Sequence, residues 1–381
     1  MIGSERFLYT NKITMINLDL PHNDLPLLPP QHTFETVPVL KALNMASRAL
    51  GRLKGIDAIN DTKVSLLVME PLLVPESVSS NEIEWIHTTT KEFFDAEVDN
   101  KKMTGNNKEV QNYRDALLWW FRQIQTRWWL IVNDIVKMQE FLEPNKPGIH
   151  SSPGKKIMNS LTWQTLYVPP QGQQLLLDLM TNLEKYINDD SLSSVDPLIK
   201  MAVIHYQFES IHPFLDGNWR TWRIIMILYL VLKELLDLPI LYFSGYINTY
   251  KWDYYRLLHE VRTKNNREEY IIYMLRGIQL QAEHTTQQLI DIDTLIKEVK
   301  EKVKQISSLR YSEDFVMALF HKPSFTIASI EQESGLHRNT LGKYITILAD
   351  QWIIHNLEKK RSHNAYSVVG FREILQRTNS A

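Results

Sequence analysis

The amino-acid sequence predicts a mainly α-helical protein with one small β-hairpin and a C-terminal winged-helix module. Apolar residues recur at spacings of three and four through 36–53, 110–124, 131–142 and 174–187, the period of helices that bury one face. Two short stretches break that period. Residues 164–168, ahead of Pro169 and Pro170, and 367–369 both read as strands within helical surroundings. A third observation is the helix-turn-helix spacing of 327–334 and 339–349, joined at Gly335 and Leu336.

Composition bounds the rest. At 381 residues the chain is about two to three times a typical domain, which predicts one large domain plus a small module. Hydrophobic content of 44% and charged content of 23% are near globular averages, so a sizeable core can form. The net charge is −2 with the histidines neutral. No overall basic field draws the chain to nucleic acid, and any such contact needs a local patch. The chain has no cysteine, which excludes disulfides, thiolate metal sites and cysteine nucleophiles and fits a reducing compartment. The first residues lack the pattern of a secretory signal, and the apolar run 224–232 stops at Lys233, short of the ~18 residues a membrane span needs. A cytoplasmic protein without membrane contact is the expectation.

Taken in order, residues 1–14 precede Met15 and the Pro-rich segment 20–30 and are assigned no fold role. Helical pattern fills the chain from there to about residue 305. The Lys- and Glu-rich stretch 296–304 keeps helical spacing but is polar on most faces, which suits a helix bridging two domains. Beyond it, 353–369 reads as the wing hairpin, with basic residues at Lys359, Lys360, Arg361 and Arg372. In a DNA-binding reading, Arg338, Asn339, Thr340 and Lys343 open the recognition helix toward a groove. In the other reading the module serves dimerisation or packing, and so few basic residues leave both open.

The segment from His212 to Arg223 concentrates a base, an acid, an amide and two guanidiniums in twelve positions. His212 follows an apolar helix, so it is held rather than mobile, and a neutral imidazole there accepts a proton from a hydroxyl near pH 7. Asp216 offers hard oxygens for Mg²⁺, which needs only one or two protein carboxylates when it bridges phosphates. Gly217 allows close backbone approach, and the amides that follow open a helix whose N-terminus binds phosphate. Arg220 and Arg223, three apart, reach the same side of that helix. Together they form a cradle for a nucleoside triphosphate beside a general base; the bland alternative is a helix cap with surface ion pairs.

At these residues the chain resembles the Fic family, whose signature is HPFxDGNGRxxR and of which eleven of twelve positions accept this sequence. Residues 49–55, reading ALGRLKG, look like the family's ALGRLDG helix. Residues 162–170 look like its substrate flap, and 244–258 like its nucleotide-proximal YYRLL segment. The resemblance implies a Fic-type helical bundle with a β-hairpin flap. Its parts would be an N-terminal helical region over 15–110, a catalytic core over 111–285, a linker helix over 286–310 and a winged helix over 311–381. It implies transfer of AMP from ATP, with Mg²⁺, to a Ser, Thr or Tyr hydroxyl of a protein target, with the chain itself as one candidate target. By position, His212 is the base and Asp216 the metal ligand. Gly217, Asn218, Trp219, Arg220, Arg223, Tyr246 and Tyr254 surround the nucleotide. Leu166, Tyr167 and Val168 would pair with an extended target segment. Residues 79–84, SSNEIE, resemble the family's inhibitory helix, expected at about 76–88. Ser80 and Glu84 fall on one face of it, and Glu84 is directed at Arg223. Phosphotransfer, as in the Doc branch, and a regulator without transferase activity are the alternatives. A homodimer is a candidate assembly.

The chain departs from the family at glycines. Trp219 replaces the second glycine of the signature's GNGR, and Trp85, Trp163, Trp222 and Trp352 also stand where glycine is usual. Glycine makes up 13 residues, about half of average usage, and adding the 10 tryptophans restores it. Two explanations follow. Either these are native tryptophans, with an indole at 219 crowding the phosphate, or UGA codons read as glycine by the source were rendered as tryptophan. The pairs Trp119–Trp120 and Trp128–Trp129 read as core aromatics.

Overall fold

The computed structural model describes residues 17–56, 64–98, 103–151, 154–158, 164–360 and 363–377. The expected N-terminal extension, Thr162, Trp163 and Arg361 lie outside them. Helix α1 (Val37–Lys54) starts where the Thr36 hydroxyl accepts the Val39 amide, and it ends with Arg52 and Lys54 at the carbonyl end of its dipole. After α2 (Val64–Leu67) comes α3 (Met69–Ile83), which is buried almost along its whole length and so threads the core. A Thr89–Glu92 capping box opens α4 (Thr90–Glu97). Helices α5 (Asn106–Arg127) and α6 (Val132–Leu142) follow, and β1 (Ile157–Met158) pairs antiparallel with β2 (Thr165–Tyr167).

The central pair comes next. Past α7 (Gln173–Asn188), helices α8 (Pro197–Ile211) and α9 (Asn218–Leu232) are buried on nearly every face, which a helix tolerates only at the middle of a bundle. Helix α9 touches α3, α5, α6 and α8. Helices α10 (Phe243–Thr249) and α11 (Lys251–Lys264) lead to α12 (Arg267–Gln305), which lies along α1.

The stretch expected to be a polar bridge is the end of this 39-residue helix, and one of its faces is buried. Leu289, Ile292, Ile296, Val299 and Val303 recur at three and four and are almost fully buried. The lysines and glutamates that suggested a bridge occupy the other faces. Beyond α12, α13 (Glu313–Ala318), α14 (Ile327–Ser334) and α15 (Arg338–Asp350) precede an antiparallel hairpin of β3 (Ile354–Lys360) and β4 (His363–Val368) and a last helix, α16 (Phe371–Gln376). Phe325 and Tyr366 exchange both backbone hydrogen bonds at 2.9 Å, adding a single bridge to the hairpin. Arg338, Asn339 and Lys343 are exposed on α15. Helix α16 docks on the bundle: Arg372 pairs with Asp95 at 2.8 Å, and Gln288 donates to the Ile374 carbonyl at 2.9 Å.

Ile296→Ala should lower the unfolding free energy by about 2–5 kcal/mol in urea denaturation, the cost of a buried cavity. A solvated bridge would register no more than about 0.5 kcal/mol.

Candidate active site

The loop between α8 and α9 is shaped by two residues in the left-handed region. His212, at φ 48°, ends α8 with its amide donating to the Phe208 carbonyl at 2.9 Å. Gly217 has φ 78°, and a Cβ there would meet Glu143 Cγ at 3.0 Å, so conformation and space both call for glycine. Asn218 clasps the loop: its Oδ1 accepts from the Phe214 amide at 2.9 Å, and its Nδ2 donates to the Phe214 carbonyl at 2.8 Å. The amide expected to touch phosphate is thus spent on holding the loop. The first amide of α9 to bond back is that of Thr221, to the Gly217 carbonyl at 2.9 Å. The amides ahead of it form the positive end of a fully buried helix.

His212 is buried, and desolvation, with Lys155, Arg262 and His150 adding positive potential, pulls its pKa well below the usual 6.5. The ring is therefore neutral at physiological pH. Its Nδ1 has no hydrogen-bond partner among the described residues and lies 3.9 Å from Glu209 Oε2. Glu209, on the turn of α8 before the histidine, is 1% exposed, and burial pushes its pKa up to about 8 against the pull of Arg262 and Arg223. The sequence reading passed over Glu209. Its position three before His212, at the end of an apolar helix, was the available signal.

Asp216 lies half-exposed at the loop mouth, with Oδ2 2.7 Å from Lys146 and Oδ1 accepting the Gly217 amide at 2.9 Å. Desolvation raises its pKa, but these two hydrogen bonds outweigh it and the carboxylate stays ionised below the usual range. Among the described residues no cluster of three metal-ligating side chains exists. One ionised carboxylate facing an exposed, displaceable ammonium does fit Mg²⁺ that takes its other ligands from phosphates and water.

The two arginines differ. Arg220 is 3% exposed and already clamped between Glu109 at 3.2 Å and Glu143, with Asn81 Oδ1 at 3.3 Å. Arg223 is fully buried; its Nε donates to Ser80 Oγ at 2.7 Å and one terminal nitrogen to the Ser80 carbonyl at 2.8 Å. Glu84 Oε1 is 3.7 Å from that nitrogen, an ion pair beyond hydrogen-bond reach, and the other terminal nitrogen has no partner among the described residues. Burial raises the Glu84 pKa and Arg223 and then Arg220 oppose it. Helix α3 ends at Ile83, earlier than expected, with Glu84 as its cap, so Ser80 and Glu84 reach Arg223 from the last turn and the cap rather than from one continuous helix face.

Two expected nucleotide contacts are core residues. Tyr254 is completely buried with its hydroxyl 2.8 Å from His205 Nε2, and Tyr246 packs against Phe243, Tyr250 and Tyr273. In the hairpin only Leu166 stays partly exposed among the three flap residues. The Tyr167 side chain is fixed by its hydroxyl donating to the Ser210 carbonyl at 3.0 Å, and the Val168 carbonyl is already taken by the His22 amide at 3.1 Å.

The tryptophans divide by backbone. Trp219 rests edge-on against Tyr254 and Tyr255 of α11, and Trp222 is buried in a stack on His205. Trp85, Trp128 and Trp352 instead adopt φ values of 65°, 59° and 54°, which bulky residues resist. All three are more than half exposed. Trp128 caps α5 in the left-handed conformation that favours glycine, and Trp129 is also exposed, so this pair is not the core pair expected.

Residues 78–230 match the Fic/DOC family. Protein adenylyltransferase Fic of Drosophila erecta is 40% identical over 60 residues, which are 16% of this chain and 12% of that protein. Protein adenylyltransferase fic-1 of Caenorhabditis briggsae is 26% identical over 95 residues, 25% of this chain and 18% of that protein. The chain therefore spans less than a fifth of these relatives' length. Among solved structures, a Fic family protein from Desulfovibrio desulfuricans G20 superposes with a TM-score of 0.56 at 18% identity, covering 90% of this chain and 98% of that one. Residues 134–508 of Fic-1 from C. elegans reach 0.50 at 18% identity, covering 68% and 74%. At that identity the likeness shows a shared fold.

Trp352→Gly should raise the unfolding free energy by about 0.5–1 kcal/mol, the left-handed strain outweighing glycine's extra chain entropy. Trp252→Gly, equally exposed but inside α11, should lower it by about 1 kcal/mol; paired thermal melts compare them. Glu209 gives a pH signature. Its pKa rises from 4.5 unfolded to about 8 folded, so the native state holds a proton the unfolded chain releases, and stability falls as pH rises across that window. Glu209→Gln should flatten the decline by up to about 1.4 kcal/mol per pH unit, read from unfolding at pH 5.5 and 8.

Proposed function

We propose that this chain, which carries a Fic domain over residues 78–230, transfers AMP from ATP to a hydroxyl of a protein target and is restrained by its own Glu84. The observation that carries the reading is a buried neutral His212 beside a glycine turn and the N-terminus of α9, with Arg223 one turn further on. His212 would accept the proton of a Ser, Thr or Tyr hydroxyl as that oxygen bonds to the α-phosphorus. The bond to the bridging oxygen then breaks and pyrophosphate leaves. Glu209, mostly protonated at pH 7, would set the ring's orientation from the Nδ1 side without charging it. The amides at the start of α9 would receive phosphate oxygens. Asp216 would hold Mg²⁺, which supplies charge neutralisation at the phosphates when bound.

In this reading Arg220 is structural, because Glu109 and Glu143 already neutralise it. Arg223 is the phosphate-binding arginine. Ser80 fixes it, Glu84 supplies a loose 3.7 Å counter-charge, and one terminal nitrogen is left without a partner among the described residues. An incoming γ-phosphate competes with Glu84 for that guanidinium, a restraint within one molecule. The positive φ values at Trp85, Trp128 and Trp352 favour a second reading, that glycine is the natural residue there and tryptophan a rendering of reassigned codons. Mass spectrometry of natively expressed protein should find glycine at those positions, and tryptophan would overturn it.

With α-labelled ATP, Glu84→Gly should raise self-labelling at least about tenfold, equivalent to about 1.4 kcal/mol of barrier. His212→Ala should abolish it by a factor of about 10²–10⁴. Label arriving from γ-labelled ATP instead would mean phosphotransfer, and label from neither would leave a regulator.

A further inference from the structure

A cavity of about 620 Å³ lies outside the His212 loop, none of whose residues line it. It is enclosed by the segment 17–34, one face of α8, the end of α11 and the start of α12. Its wall is mixed. Leu25, Leu28, Phe34 and Ile271 supply apolar surface, and two guanidiniums, Arg262 and Arg267, reach it from opposite sides of the α11–α12 turn.

These arginines are short of partners. Arg267 makes no side-chain hydrogen bond and no ion pair with any described residue, and its desolvated guanidinium has only the Tyr206 phenol near it as a stabilising group. Arg262 has only the Glu209 carbonyl at 3.4 Å, the face of Tyr167 at 4.1 Å, and an Nε without an acceptor. The one carboxylate on the wall is Asp24, which is 91% exposed and turned to His22 at 3.6 Å. The histidines on the wall supply no counter-charge in either protonation state, and burial lowers the pKa of both His22 and His32. Two partly buried cations without counter-ions among the described residues, in a cavity large enough for a small organic molecule, leave charge that an anion would neutralise.

We propose that this cavity is a second ligand site, which takes an organic anion whose phosphate or carboxylate head lies between Arg262 and Arg267 and whose apolar body lies against Leu25, Leu28 and Phe34. The site is built to report its occupancy. Arg262 also touches Tyr167 of the hairpin and the Glu209 carbonyl three residues before His212. The proposal does not depend on AMP transfer, because binding is measured without nucleotide.

Isothermal titration of the full chain with phenyl phosphate and with benzoate tests it, with inorganic phosphate as the probe lacking an apolar body. The expected result is saturable binding of at least one aromatic anion, tighter than inorganic phosphate. It should weaken at least about tenfold in Arg267→Gln, partly recover in Arg267→Lys, and be unchanged in Asp216→Asn. Which head binds tighter identifies the natural source, phosphate ester or carboxylate. His32→Glu, at an exposed wall position beside Arg267, supplies the missing carboxylate without disturbing the core and should also weaken binding. No saturable binding of either anion below millimolar concentration, or binding indifferent to both Arg267→Gln and His32→Glu, would overturn the site.

Discussion

Two guanidiniums buried on consecutive turns of α9 constrain everything around them. An uncompensated charge in a protein interior costs several kcal/mol, so each arginine must be met by groups from other elements. Arg220 draws Asn81 from the end of α3, Glu109 from α5 and Glu143 from the end of α6. Arg223 draws Ser80 and Glu84 from α3 and its cap. These contacts tie the end of α3, the start of α5 and the end of α6 to the first turns of α9.

The same contacts separate scaffold from chemistry. Each arginine has one nitrogen without a partner among the described residues, but Arg220 is neutralised by two close carboxylates, whereas Arg223 has one at 3.7 Å. A guanidinium with a free nitrogen beside a carboxylate held at ion-pair distance is the configuration that an incoming anion can reorganise. His212 sits under a comparable tension: a non-glycine residue held at positive φ, neutral because it is desolvated, with a protonated carboxyl behind it. A backbone outlier and displaced pKa values on adjacent turns are features on which a functional-site hypothesis can rest.

Much of this was legible in the chain itself. The helix-turn-helix spacing matches α14 and α15 within a residue, and the twelve-residue signature pointed to the loop between α8 and α9. The Glu84–Arg223 pairing, expected from SSNEIE, has its two partners 3.7 Å apart. What was not legible shares one cause. The charges of 296–304 are visible in the sequence, but the burial of Ile296, Val299 and Val303 along one face is set by tertiary packing. Tyr254, Asn218 and Arg220 have tertiary partners, and Tyr246 is packed among aromatic rings, none of which a local pattern shows. Trp128 was misread because an aromatic pair looks like core unless the helix is known to end there.

Sequence alone determined which residues could do chemistry and which local conformations were possible: helix period, caps, the glycine turn at 217, and the density of base, acid and cation from His212 to Arg223. Tertiary structure decided which of those groups remain available. It paired Arg220 and left Arg223 partly open, buried Glu209 behind His212, and left Arg262 and Arg267 facing a cavity without counter-ions among the described residues. The physical reason is that periodicity and propensity act over a few neighbouring residues. Desolvation and ion pairing, by contrast, depend on what other elements bring within about 4 Å, at separations in sequence that no local pattern encodes.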